Sequence, residues 1–239
     1  MKKIVFDNYT QLSHAAAEFV AAEINSKPKF VLGLPTGETP VGMYKNLSEM
    51  YKEGKVDFAN VTTFNLDEYL GLKRSHNQSY WYFMNKNLYS NVNLKEENIN
   101  IPNGTAPDMD LETKSYDKKI EDMGGLDLMV LGIGPNGHIG FNEPGNYLIA
   151  PTHIVKLTEA TIDANARFFT SRDEVPKKAV TMGVGNIMKA KKILMLISGE
   201  NKRAVAKALN NGIVTPENPA TMLLMHPDVT VLIDKDADQ

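Results

Sequence analysis

The segment from Gly132 to Gly145 (GIGPNGHIGFNEPG) places an imidazole, His138, and a carboxylate, Glu143, five residues apart in backbone that cannot be regular. Five glycines and two prolines forbid a helix there. A titratable imidazole and a carboxylate held close together on such a loop can transfer protons at neutral pH. The plainer alternative is a glycine-rich connection whose histidine only bonds to its neighbours. The apolar run Leu126 to Ile133 feeds straight into the loop, as a buried strand does when it opens into a reactive site.

Three further segments have the same strand-to-loop character. Leu34-Pro35-Thr36-Gly37-Glu38-Thr39-Pro40 follows an apolar run and precedes an amphipathic one, with Thr39 the expected N-cap and Pro40 in the first turn. Such a junction presents free backbone N–H groups and the positive end of a helix dipole, which suits a phosphate, although many strand–helix turns of this composition bind nothing. It lacks the Gly-Lys-Ser/Thr of a Walker loop. The Gly132-x-Gly134-x-x-Gly137 spacing formally matches a dinucleotide fingerprint, but Pro144 and Gly145 stand where its helix should run, so a nucleotide cofactor is rejected.

Val61 to Tyr69 ends a strand with adjacent carboxylates. Period-two geometry puts Asp67 with Thr63 and Asn65, and Glu68 with Phe64 and Leu66, so the two cannot share a proton while the strand persists. Asp67, on the polar series, is the better catalytic candidate; the competing role is capping the next segment. Lys202, in Ser198-Gly199-Glu200-Asn201-Lys202-Arg203, opposes the dipole of the helix that follows, a placement an anion would relieve, unless it is simply a solvated lysine. Arg167, beside Phe168 and Phe169, is either a phosphate fork or a packed surface stem. The remaining histidines, His14, His76, His153 and His226, have no metal-ligand spacing, and Tyr80 to Phe83 read as the core face of a helix.

Positioning these residues requires a sheet. Expected strands are 4–6, 30–34, 61–66, 126–133, 154–157, 179–182, 193–198 and 229–233. Expected helices are 11–25, 41–53, 79–88, 108–123, 184–189, 202–210 and a piece near 220–224. Their alternation predicts an α/β three-layer sandwich with a mainly parallel, modified Rossmann-like sheet. No linker, repeat or low-complexity tract divides the 239 residues, so one domain over 1–239 is expected. A net charge of −3 offers no general attraction to nucleic acid or anionic lipid. The absence of cysteine excludes disulfides, thiolate nucleophiles and cysteine zinc sites. Without a signal peptide or a run of the roughly 18 apolar residues that a membrane span needs, a cytoplasmic, soluble protein is expected.

The blocks Leu34-Pro35-Thr36-Gly37 with Thr39-Pro40, Phe64-Asn65-Leu66-Asp67-Glu68-Tyr69, Gly137-His138-Ile139-Gly140-Phe141-Asn142-Glu143-Pro144, Ala166-Arg167-Phe168-Phe169 and Thr181-Met182-Gly183-Val184-Gly185 together resemble the glucosamine-6-phosphate deaminases of the short bacterial type. The resemblance runs from about Lys29 to Asp234. It implies conversion of glucosamine 6-phosphate and water to fructose 6-phosphate and ammonia in amino-sugar catabolism, with no metal and no organic cofactor. It makes Asp67 the base for the C2 proton and His138 the ring-opening base, with Glu143 and Asn136 orienting it. It makes Thr36, Gly37, Thr39, Arg167 and Lys202 the phosphate grip. Two related alternatives are a 6-phosphogluconolactonase, whose loop usually continues differently after Gly-His, and a non-enzymatic sugar-phosphate sensor.

Two departures from the family pattern stand out. Many relatives carry Asp where this chain has Asn136, and a neutral amide stabilises an imidazolium less than a carboxylate does. Glu38 occupies a loop position that is often small in relatives. A carboxylate facing a phosphate in a poorly screened site would cost several kcal/mol, so its side chain is expected to point away. The resemblance also implies that larger hexameric relatives hold an allosteric phosphate with Arg and Lys just after the Glu143 loop. The matching positions here are His153 and Val155, with Asn146 in place of a small hydroxyl residue, and the chain stops soon after the 229–233 strand. A non-allosteric enzyme, more monomer than hexamer, is therefore expected.

Overall fold

The computed structural model describes residues 1–239, apart from the side chains of Ala160 and Ala164. Strands and helices alternate along the chain: β1 (Lys2–Phe6), α1 (Tyr9–Asn25), β2 (Phe30–Leu34), α2 (Val41–Lys52), β3 (Val61–Asn65), β4 (Asp67–Tyr69), α3 (Tyr80–Asn87), β5 (Ile99–Asn100) and α4 (Met109–Asp122). They continue as β6 (Leu128–Gly132), β7 (His153–Lys156), α5 (Glu159–Ala166), β8 (Lys178–Thr181), α6 (Val184–Met188), β9 (Lys192–Ile197), α7 (Arg203–Leu209) and β10 (Val229–Asp234). A short 3₁₀ stretch covers Pro219–Met225, where the sequence suggests a helical piece.

Seven strands form one parallel sheet in the order β1-β10-β9-β6-β2-β3-β5. Successive side chains of its central strands go to opposite faces, as the pleat requires. Met129, Leu131, Met195 and Ile197 enter one core with Tyr116, Ile187 and Val205 of the helices on that side. Leu128, Val130, Leu194 and Leu196 enter the other, against Leu12, Ala16 and Val20 of α1 and Tyr44 and Leu47 of α2. Each large side chain moved fully out of water contributes about 1.5–3 kcal/mol, and burial on both faces is why these strands read as continuous apolar runs. From β2 the chain builds outward through β3 and β5. It then returns to β6 on the other side and builds the opposite way. The β2/β6 boundary is therefore a topological switch point, where loops after neighbouring strands diverge and leave a crevice.

Two expected strands join a different sheet. β7 and β8 pair antiparallel with each other, and β8 pairs antiparallel with β4, outside the parallel array. The reason is visible in β7, where half-buried His153 and Val155 alternate with exposed Ile154 and Lys156, the pattern of a sheet with one wet face. Helix α5 has no counterpart among the expected helices. Ile162 is a lone large apolar residue in it, so it carries no periodic stripe; Thr158 starts it by accepting the Thr161 N–H.

Candidate active site

The loop after β2 is held from three sides. The Asn65 side chain donates to the Leu34 carbonyl at 3.1 Å, and the Tyr44 hydroxyl donates to the Pro35 carbonyl. On the outer side the Tyr9 hydroxyl lies 3.2 and 3.1 Å from the Glu38 and Thr39 carbonyls and accepts the Gly42 N–H at 2.8 Å. Gly37 sits at φ +93°, a left-handed conformation that turns the chain into α2 and favours glycine. Thr39 does not cap the helix as expected. Pro40 is the N-cap, no side chain bonds back to the first turn, and Thr39 instead lines the cavity beyond.

The adjacent carboxylates separate as the strand periodicity requires. Glu68 turns away from the cavity and accepts the N–H groups of Tyr69, Tyr80 and Trp81 at 2.9, 2.9 and 3.1 Å, so it anchors the start of α3. Asp67 faces the cavity from the first position of β4 and is 6% exposed. Among the described residues no donor meets its carboxylate. Burial, with the negative Glu68 beside it, pushes its pKa up to about 8. Gly140, at φ +58°, leaves room for it: a Cβ there would stand 3.2 Å from Asp67 Oδ2.

In the glycine loop His138 packs over Gly134, where a Cβ would meet the ring at 2.1 Å. Asn136 Oδ1 lies 2.7 Å from His138 Nδ1 and accepts the His138 backbone N–H at 3.2 Å; its Nδ2 donates to Glu143 Oε2 at 2.8 Å. The amide orientation follows from its partners, since the backbone N–H can only donate and the carboxylate only accept. Nδ1 must therefore carry its proton toward Asn136, which leaves Nε2 as the basic nitrogen. Glu143 stands 3.6 Å from Nδ1, outside hydrogen-bond reach, so it acts on the ring through Asn136 and through space. Burial would raise the Glu143 pKa, but His138, Asn136 and Thr161 bring it down to about 2.

The two candidate cations approach from different elements. Lys202 closes a 3₁₀ turn after β9 and is the N-cap of α7, which begins one residue later than expected. The Asp234 carboxylate fixes that turn by accepting from the Ser198 hydroxyl and, at 3.1 Å, from Gly199 N–H. Burial lowers the Lys202 pKa to about 8, against a smaller opposing pull from Glu38. Arg167 caps the C-terminus of α5, with its guanidinium carbon 4.6 Å from the Phe168 ring centroid. Its Nη2 lies 3.0 Å from Glu38 Oε1. Glu38 thus does not point away; it turns toward Arg167, because an exposed carboxylate there gains a partner and loses little hydration.

Eight of the nine expected site residues, Thr36, Gly37, Thr39, Asp67, Asn136, His138, Arg167 and Lys202, line one cavity of about 840 Å³ at the switch point, and Glu143 stands behind Asn136. That volume suits a small metabolite rather than a macromolecule. Sequence reasoning missed Tyr80 and Thr161, which also line it. The aromatic group at 80–83 is not a plain core face: Tyr80 stacks on Phe141 with centroids 6.1 Å apart, while Tyr82 is exposed and Arg74 covers Trp81. A strand-end carboxylate followed by an aromatic helix start was the available signal for Tyr80. Nothing local marks Thr161. Among the described residues no cluster of His, Asp and Glu has the arrangement of a metal site, and no helix is long and apolar enough to cross a membrane.

The family model of glucosamine-6-phosphate isomerases and 6-phosphogluconolactonases matches residues 7–232. The chain is 56% identical over 237 residues to a glucosamine-6-phosphate deaminase of Thermoanaerobacter pseudethanolicus, covering 99% of this chain and 94% of that one. It is 55% identical to a glucosamine-6-phosphate deaminase of Clostridium perfringens, covering 99% and 98%. A solved monomeric glucosamine-6-phosphate deaminase superposes with a TM-score of 0.96 at 45% identity, covering 99% and 98%. A 6-phosphogluconolactonase of Thermotoga maritima shares the fold at a TM-score of 0.74 and 18% identity, covering 98% and 99%. The chain belongs to the glucosamine-6-phosphate isomerase/6-phosphogluconolactonase family, on its deaminase side.

Proposed function

We propose that this protein converts glucosamine 6-phosphate and water to fructose 6-phosphate and ammonia, acting in the cytoplasm as a monomer built from one domain over residues 1–239. The observation that carries the reading is the convergence, in one cavity, of a glycine-containing strand–helix loop and two cations with a buried carboxylate and an imidazole. Thr36, Gly37, Thr39, Arg167 and Lys202 hold the phosphate, with the loop amides and the two cations sharing its charge. That contact binds the part of the substrate that does not react, and its energy holds the flexible open chain in reacting geometry.

The reaction begins with a closed ring. His138 Nε2, left basic by the Nδ1–H contact to Asn136, accepts the C1 hydroxyl proton. It returns a proton to the ring oxygen as the C1–O5 bond breaks, leaving an aldehyde at C1. Asp67 then takes the C2 hydrogen as a proton; the electron pair passes into the C1 carbonyl, whose oxygen takes up the proton shed by the C2 ammonium, and an enolamine results. Asp67 returns its proton at C1, which yields an imine at C2; water adds, ammonia leaves, and a ketone remains. Burial and Glu68 raise the Asp67 pKa to about 8, and the substrate ammonium beside it favours the carboxylate form needed for this step. The aldehyde itself is the electron sink, so the chemistry needs no further group.

Lactone hydrolysis on the same fold would leave Asp67 without a proton to remove. Assay of ammonia release from glucosamine 6-phosphate beside hydrolysis of 6-phosphogluconolactone separates the two. Ammonia release is expected; lactone hydrolysis alone would overturn the proposal.

A further inference from the structure

We infer that Glu38 is an internal competitor for the phosphate grip, its carboxylate occupying Arg167 until a sugar phosphate displaces it. The inference rests on the proposed role of Arg167 and Lys202 as phosphate holders. Glu38 and Arg167 lie 129 positions apart in the chain, one on the loop after β2 and the other at the end of α5, and both line the cavity. Their 3.0 Å contact spans its two walls. Lys202 lines the same cavity, so a phosphate that displaces Glu38 from Arg167 meets a second cation there.

The arrangement suits exchange. The Glu38 and Arg167 side chains are 75% and 62% exposed, so their attraction is screened and weak. A phosphate dianion that also takes loop N–H groups outcompetes a single carboxylate. Tyr9 holds the Glu38 carbonyl and Phe168 lies against the guanidinium, so the carboxylate can leave while the loop backbone and Arg167 keep their supports. Glu38 therefore lowers affinity for the anionic group itself, not for the sugar.

Calorimetric titration of the full chain with inorganic phosphate and with fructose 6-phosphate tests this on wild type, Glu38→Gln, Arg167→Ala and the double variant. Glu38→Gln is expected to tighten both ligands by the same factor, about two- to fivefold at low salt, shrinking as salt rises. The gain should be smaller in the Arg167→Ala background. If Arg167→Ala weakens binding but Glu38→Gln leaves it unchanged or weaker, the inference is overturned while the phosphate assignment stands. Tightening of fructose 6-phosphate alone also overturns it, because Glu38 would then act on the sugar. If Arg167→Ala changes neither ligand, the phosphate assignment fails and the inference with it.

Discussion

The Thr161 hydroxyl donates to Glu143 Oε1 at 2.8 Å, tying the helix that ends at Arg167 to the loop that carries His138. Its one hydrogen goes to the carboxylate, so Thr158 is the donor in the 2.9 Å contact between the two threonine hydroxyls. A chain of bonds thus runs from the α5 N-cap through Glu143 and Asn136 to the imidazole.

Thr161→Val keeps the shape and removes that bond. A hydrogen bond to a charged group is worth about 1.5–3 kcal/mol, and partial exposure argues for the low end, so kcat is expected to fall about tenfold. KM should change less, and Thr161→Ser should restore the rate. A valine variant with wild-type kcat would show that the link between helix and loop has no catalytic consequence.

Asp67→Asn should cost about 10²–10⁴-fold in turnover, the usual loss of a proton-transfer group, and should abolish solvent exchange of the C2 hydrogen. It should also stabilise the fold. The carboxyl is held near 8 in the folded chain against an ordinary 3.8, so between these values the folded state keeps a proton that the unfolded state has released. Wild-type stability from this group is present below about pH 4 and is lost as pH rises through 8. Thermal unfolding should show the Asn variant's advantage growing across that window. An advantage independent of pH would contradict the buried, protonated Asp67.

Lys202→Ala and Arg167→Ala should each weaken fructose 6-phosphate by about ten- to a hundredfold without unfolding the chain. Burial brings the Lys202 pKa down to about 8, so wild-type affinity for this amine-free ligand should decline above pH 8 as the cation is lost. Lys202→Arg retains its charge there and should flatten the decline. Calorimetry across pH 7–9.5 reads both effects, and identical pH profiles would remove Lys202 from the phosphate contact.

Kinetics should be hyperbolic and unchanged by N-acetylglucosamine 6-phosphate. The positions expected to hold an allosteric phosphate are His153 and Val155 on β7, and the His153 ring is engaged 2.9 Å from the Pro151 carbonyl. Without two fixed cations a second phosphate has no preferred state to select. A sigmoidal rate curve that this compound makes hyperbolic would contradict the expectation.

The sequence by itself determined the alternation of strands and helices, the four strand ends that meet at the cavity, and the divergence of Asp67 from Glu68. These are consequences of local rules, namely backbone period, burial on both faces of a parallel sheet, and glycine at a turn with positive φ. Tertiary structure decided the partners. It set Glu38 on Arg167, Glu68 on the start of α3 and Thr161 on Glu143, and moved β4, β7 and β8 into an antiparallel sheet. None of these is legible locally, because a polar side chain has several possible neighbours and only the packing of distant elements chooses one. Helix α5 shows the same limit, since its short, nearly stripeless sequence gains definition from the Thr158 cap and from packing of Ile162.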